Sequence, residues 1–124
     1  MFTINYRDAR PIYEQVKDSL RRSIITGVLA KDDKIPSVRE LAGQLAINPN
    51  TIQKAYRELE TEGYIYSVPG KGSFVSECEQ ARDAHKTELF AKLDAAVAEL
   101  TQLDVSIAEI CAHIKENSSR EAQK

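Results

Sequence analysis

Ile47-Asn48-Pro49-Asn50-Thr51-Ile52-Gln53-Lys54-Ala55-Tyr56-Arg57-Glu58-Leu59 has the pattern of an amphipathic helix with its own start signal. Ile52, Ala55, Tyr56 and Leu59 recur at helical spacing and form one inward stripe. Asn50, Thr51, Gln53, Lys54 and Arg57 are left on the outer face. Pro49 suits a first helical residue, where its missing N–H is no loss, and Asn48 before it suits an N-cap. Gly63 suits the C′ position that closes the helix. Upstream, Val38, Leu41, Ala42 and Leu45 make a second apolar stripe over residues 37–45, with residues 46–48 as the turn between. Two short helices joined in this way predict a helix-turn-helix whose second helix would enter a DNA groove. Its outer face carries the side-chain types that read base edges and phosphates.

Working outward, Tyr64-Ile65-Tyr66-Ser67-Val68 is aromatic and β-branched, hence a strand. Pro69-Gly70-Lys71-Gly72 is a turn with one cation, and Ser73-Phe74-Val75-Ser76 is a return strand. Two helices followed by a hairpin with a basic tip predict a winged helix-turn-helix. The same pattern also fits a small α+β domain whose polar helix face is merely solvated. Glycines at the wing tip let the chain approach a DNA backbone or minor groove, although a plain hairpin turn has the same composition. In residues 11–26, Tyr13, Val16, Leu20, Ile24 and Ile25 predict a first helix, with Gly27 as its stop. Arg21 and Arg22 fall on its polar side. Residues 28–35 are expected to be a connection. Ser37 followed by Glu40 reads as a capping box, and the helix N-terminus it opens offers amides to a phosphate. Residues 1–10 are expected to be an extended arm. Its alternating Phe2, Ile4 and Tyr6 fit either a short strand or a tail laid on the domain surface.

After Ser76 the composition shifts. Residues 77–103 contain no Gly or Pro. Leu89, Leu93, Ala96, Leu100 and Leu103 alternate in steps of four and three, a heptad-like seam. Asp104-Val105 makes a bend, and Ser106 with Glu109 reads as another capping box. Ile107, Ile110, Cys111 and Ile114 then share a face. Two such helices cannot bury their apolar faces on each other alone, so a homodimeric bundle is expected, with folding back on the winged domain as the alternative. The interface would use Leu89, Phe90, Leu93, Val97, Leu100, Leu103, Ile107, Ile110 and Ile114. The fold class is therefore mostly α with a small β wing: a winged domain over residues 1–76 and a helical dimerisation tail over 77–124, disordered from about 117.

The 124 residues suit one domain plus an appendage. No apolar run approaches a membrane span, and the N-terminus lacks a signal-peptide pattern, so a cytoplasmic chain with no membrane partner is expected. Cys78 and Cys111 have no ligand-like spacing with histidines; no metal or other cofactor is expected, and both read as free thiols. The net charge of −2 is unevenly spread. Residues 1–76 hold 11 Lys or Arg against 9 Asp or Glu, a balance of +2, and residues 77–124 hold 6 against 10, a balance of −4. The weak basic excess thus belongs to the winged segment, and affinity for DNA would rest on local placement of cations. His85 and His113 have no nucleophile or ligand constellation near them in sequence, so an enzyme is not expected.

Several words of this sequence resemble the GntR family of bacterial transcription regulators. They are Pro36-Ser37-Val38-Arg39-Glu40-Leu41-Ala42, Leu59-Glu60-Thr61-Glu62-Gly63 and the wing Gly70-Lys71-Gly72-Ser73-Phe74-Val75. Pro11-Ile12-Tyr13-Glu14-Gln15, Asn48-Pro49-Asn50-Thr51 and Lys54-Ala55-Tyr56 are similar to the YtrA-like branch, which the short helical tail also fits. The resemblance implies a homodimeric repressor that binds double-stranded DNA at an inverted-repeat operator, with a transporter operon among the regulated genes. It implies that Arg39 reaches DNA at the front of the motif. With the outer face of the second helix and the wing, the expected DNA-binding set is Ser37, Arg39, Asn48, Asn50, Thr51, Gln53, Lys54, Arg57, Gly70, Lys71 and Gly72. Better-known branches often carry Arg where this chain has Pro49 and Gln53, so their base preference does not transfer. Gln53 suits adenine, hence an A·T-leaning half-site, whereas Lys54 and Arg57 suit phosphates. The family usually has a Gly near Asp32, so the turn there departs from its pattern. Most members carry a separate effector domain; the 48 residues after Ser76 are too few for one, and no residue nominates a small-molecule effector. The rival reading is a winged-helix protein-interaction module with no DNA role.

Overall fold

A computed structural model describes residues 4–122, with side chains to residue 118. Phe2 of the expected arm, and residues 123–124, lie outside the described residues. The elements are α1 (Ile12–Ile25), β1 (Lys34–Ile35), α2 (Val38–Leu45), α3 (Pro49–Thr61), β2 (Ile65–Val68), β3 (Gly72–Val75), α4 (Glu79–Gln102) and α5 (Ile107–Ala122). The chain divides into two compact units, Met1–Asp83 and Ala84–Lys124.

In the first unit, α3 packs against α1, α2 and β2. Its stripe of Ile52, Ala55, Tyr56 and Leu59 is buried, together with Val16, Leu20 and Ile24 from α1 and Leu41 and Ala42 from α2. Burying these side chains is the main stabilising term; truncating one such Leu or Ile to Ala costs about 2–5 kcal/mol. The helix ends follow from local chemistry. The Ile47 N–H donates to the Ala42 carbonyl at 3.0 Å, and Ala46 takes a left-handed φ of 54°. At the end of α3 the Tyr64 N–H donates to the Leu59 carbonyl at 2.9 Å, with Gly63 at φ 90°. Both ends are Schellman closures. One uses glycine, which has no Cβ to strain, and the other does without it.

The sheet holds three strands in the order β1-β3-β2, all antiparallel. The third strand, β1, corrects the expectation of a plain connection over residues 28–35. Two residues are too few to show a period, and their pairing partner lies far along the chain, at Phe74 and Ser73. Asp32 enters this strand at φ 68°, the left-handed conformation that explains why a glycine suits the position. Its carboxylate accepts a hydrogen bond from the Tyr66 hydroxyl at 2.8 Å.

The arm is no strand over residues 4–10. Gln15, itself buried, clamps it: the Asn5 N–H donates to Gln15 Oε1 at 2.8 Å, and Gln15 Nε2 donates to the Asn5 and Arg10 carbonyls. The first compact unit runs to Asp83 and so takes in the first turn of α4. Ala81 is buried there, and its carbonyl accepts from the Tyr64 hydroxyl at 3.3 Å.

In the second unit, α4 ends where the Val105 N–H reaches the Leu100 carbonyl, and Asp104 takes φ 65°. The Ser106 hydroxyl accepts from the Glu109 N–H at 3.1 Å, as the capping pattern implies. Helix α5 runs to Ala122, past residue 117 where the sequence pattern stops. A helix already nucleated gains one hydrogen bond per added residue, so the polar stretch 116–122 propagates it without an apolar stripe. Among the described residues, no helix is long and apolar enough to cross a membrane.

The two Schellman closures lead to opposite expectations. Ala46→Gly should raise stability by about 0.5–1 kcal/mol, since it removes left-handed strain at a modest entropic cost. Gly63→Ala should lower it by about 1–2 kcal/mol. Urea unfolding midpoints of the two variants check both.

Candidate nucleic-acid interface

The helix-turn-helix presents two capped N-termini. Ser37 Oγ accepts from the Glu40 N–H at 3.0 Å and opens α2. Asn48 Oδ1 accepts from the Asn50 N–H at 2.9 Å and opens α3. Both residues are in the expected DNA-binding set, and both have a structural role independent of DNA. Arg39 stands exposed in the first turn of α2. On α3, Asn50, Gln53, Lys54 and Arg57 are exposed and Thr51 is half-buried, opposite the inward stripe. Tyr56 ties α3 to the segment that leads into α2: its hydroxyl donates to the Pro36 carbonyl at 2.6 Å. Burial, with the charge of Glu40, pushes this phenol well above its ordinary pKa, so it stays a proton donor.

An ionic collar fastens α3 to α1. Lys17 Nζ reaches Glu58 at 3.0 Å and also pairs with Glu62. Arg21 pairs with Asp18 and, at 3.8 Å, with Glu62. Burial lowers the affinity of Lys17 for its proton, but hydrogen bonds and charges from Glu62 and Glu58 outweigh that and leave its pKa raised. Arg21 is thus engaged within the fold, not merely solvated. Lys54, read from sequence as a phosphate contact, lies with its ammonium 3.9 Å from the centre of the Tyr13 ring. This cation–π contact aims a flexible side chain. Arg39, Arg57 and Lys71 make no ion pair among the described residues, so their charges face solvent.

The wing turns at Gly70, φ 77°, where the Lys71 N–H donates to the Val68 carbonyl at 3.0 Å. Lys71 is exposed and Gly72 half-buried. Behind the tip, Tyr66 and Phe74 stack with ring centres 5.6 Å apart. Sequence reasoning missed Tyr13 and Gln15 as residues that position the interface. Their signal was the word Pro11-Ile12-Tyr13-Glu14-Gln15, whose polar members sit on α1 for reasons that periodicity alone does not show.

This geometry belongs to a known class. Residues 12–75 match the family described as bacterial regulatory proteins, gntR family. The chain is a member of the GntR family. Over 77 residues it is 46% identical to the HTH-type transcriptional repressor YtrA of Bacillus subtilis, a match that covers 62% of this chain and 59% of that protein. A transcriptional antiterminator structure from Listeria monocytogenes EGD-e superposes with a TM-score of 0.78 at 38% identity, covering 95% of this chain and 90% of the other. The DNA-binding domain of AraR in complex with operator ORR3 matches with a TM-score of 0.53 at 36% identity, covering 61% of this chain and 92% of that one.

The tail of this GntR-family chain carries a second candidate surface. Leu89, Phe90, Leu93, Leu100, Leu103, Ile107 and Ile114 are all exposed, Leu103 by 73%, and Val97 is half-buried. Ile110 is 8% exposed and so is already buried within its own chain. A face pattern read from sequence does not say which apolar side chains the same chain already covers.

Two expectations follow from the caps and the collar. Asn48→Ala should destabilise the fold by about 1 kcal/mol even without DNA, seen as a lower thermal midpoint. The stabilising effect of Lys17 should be whole below its ordinary pKa of 10.5 and fade as pH rises through its raised value. The difference in urea midpoint between wild type and Lys17→Met should therefore shrink at strongly alkaline pH.

Proposed function

We propose that the chain is a homodimeric, sequence-specific DNA-binding transcription regulator that acts as a repressor on an inverted-repeat operator. The observation that carries this is the exposed polar face of α3, held outward by the buried stripe behind it, within a segment that matches the GntR family. The similarity to the YtrA repressor and to an operator-bound AraR domain supports the same reading. Arg39 and the α3 residues Asn50, Thr51 and Gln53 would touch bases, with Gln53 bidentate to adenine. Arg57, Lys71 and the Tyr13-supported Lys54 would hold phosphates and set the register without specifying sequence. Ser37, Asn48, Gly70 and Gly72 would shape the backbone that comes close to DNA.

The exposed tail residues give the second copy its place. A row of seven large apolar side chains left in water is costly, and a matching row on another copy removes it from water. Such a dimer would set two α3 helices in successive major grooves, with half-sites about one helical turn apart or a multiple of it. No catalytic role or cofactor enters this reading, and the chain would act in the cytoplasm.

Fluorescence anisotropy on duplexes tiled across the region upstream of the gene tests the function. Saturable binding to one tile containing an inverted repeat is expected, with Arg39→Ala weakening it by about 1–3 kcal/mol. Only weak, tile-independent binding that vanishes with salt would contradict it and favour the interaction-module reading. In sedimentation equilibrium, wild type should have twice the chain mass, and Leu93→Glu should shift it toward the monomer.

A further inference from the structure

The wing carries a cation that neither the hairpin pattern nor the proposed contact set includes. Lys34 lies on β1, whose pairing places it opposite Phe74 on β3, while Phe74 stands opposite Tyr66 on β2. Strand alternation therefore puts Lys34, Phe74 and Tyr66 on one face, and Ile35, next in sequence and buried, on the other. Gly72 sits two residues before Phe74 and shares the outer face. A Cβ at Gly72 would lie 3.0 Å from Lys34 Cε and 3.8 Å from its Nζ. The lysine stem thus crosses the wing in the space that the missing side chain leaves open. Its ammonium comes to rest beside the tip, close to the glycine that follows Lys71.

The two carboxylates that precede it in sequence accept hydrogen bonds of their own. Asp32 accepts from the Tyr66 hydroxyl at 2.8 Å, and Asp33 accepts from the Ala30 N–H at 2.8 Å. Lys34 is exposed and makes no ion pair among the described residues. The fold delivers a solvent-facing charge to a glycine-rich tip.

We propose that Lys34 is a second DNA-backbone contact of the wing, which grips a phosphate beside the one held by Lys71. The proposal rests on the DNA-binding reading above. At φ 123° Gly72 opens β3 in a conformation that favours glycine, and without a Cβ it leaves the track along which Lys34 reaches the tip.

The test is anisotropy of the full chain on a fluorescein-labelled mixed-sequence duplex over a range of salt concentrations. The variants are Lys34→Met, which keeps an unbranched stem and drops the charge, Lys34→Arg, and Arg57→Ala as a control phosphate contact. Each phosphate contact removed should lower the slope of log affinity against log salt by about 0.9. The expected result is that loss for Lys34→Met, its recovery in Lys34→Arg, and an unchanged thermal melt for both. An unchanged slope for Lys34→Met, with the loss seen in Arg57→Ala, would overturn the role of Lys34 and leave the DNA-binding reading standing. No binding by wild type, or no effect of either charge removal, would overturn both. A Lys34→Met melt that falls, with the salt slope unchanged, would assign the residue to packing alone and also overturn the proposal.

Discussion

The burial of Ile52, Ala55, Tyr56 and Leu59 decides which way the rest of α3 faces. A helix with one apolar stripe has a single low-energy rotation about its axis, since any other exposes Ile52 and Leu59 to water and buries Lys54 or Arg57. With three neighbours packed on it, α3 cannot turn. Its polar face is therefore a fixed surface, and fixed geometry is what base reading requires. The ionic collar of Lys17, Arg21, Glu58 and Glu62 and the Tyr56 bond to Pro36 act on the same helix, one at its C-terminal half and the other toward α2.

The electrostatics are local. An acidic chain can still serve a polyanion when its cations are sorted by role. Lys17 and Arg21 are consumed in holding α1 to α3, and Lys54 is pinned on Tyr13. Arg39, Arg57 and Lys71 keep their charges in solvent. A count of charges in the sequence cannot make this division, because the pairing partners lie on another helix.

What is legible in the sequence follows the range of the interaction. The helices, the caps at Ser37, Asn48 and Ser106, the stop at Gly63 and the β2–β3 hairpin depend on residues a few places apart, and all can be read from the chain. The strand β1, the arm clamp by Gln15 and the Lys54–Tyr13 contact depend on distant partners or on side-chain direction, and they cannot. The tail shows the same limit: its apolar row is visible as a pattern, yet the burial of Ile110 within its own chain is not. The left-handed φ of Asp32 stands between these cases. Its departure from the family's glycine is visible, but its compensation through Tyr66 needs the sheet.

Amide chemical-shift mapping of the isotope-labelled full chain, titrated with a duplex that it binds, would show which surface meets DNA. The largest shifts should fall on residues 37–39, 50–57 and 70–72, while the amides of α4 and α5 move little. Shifts centred on α4 and α5, with α3 unmoved, would contradict it.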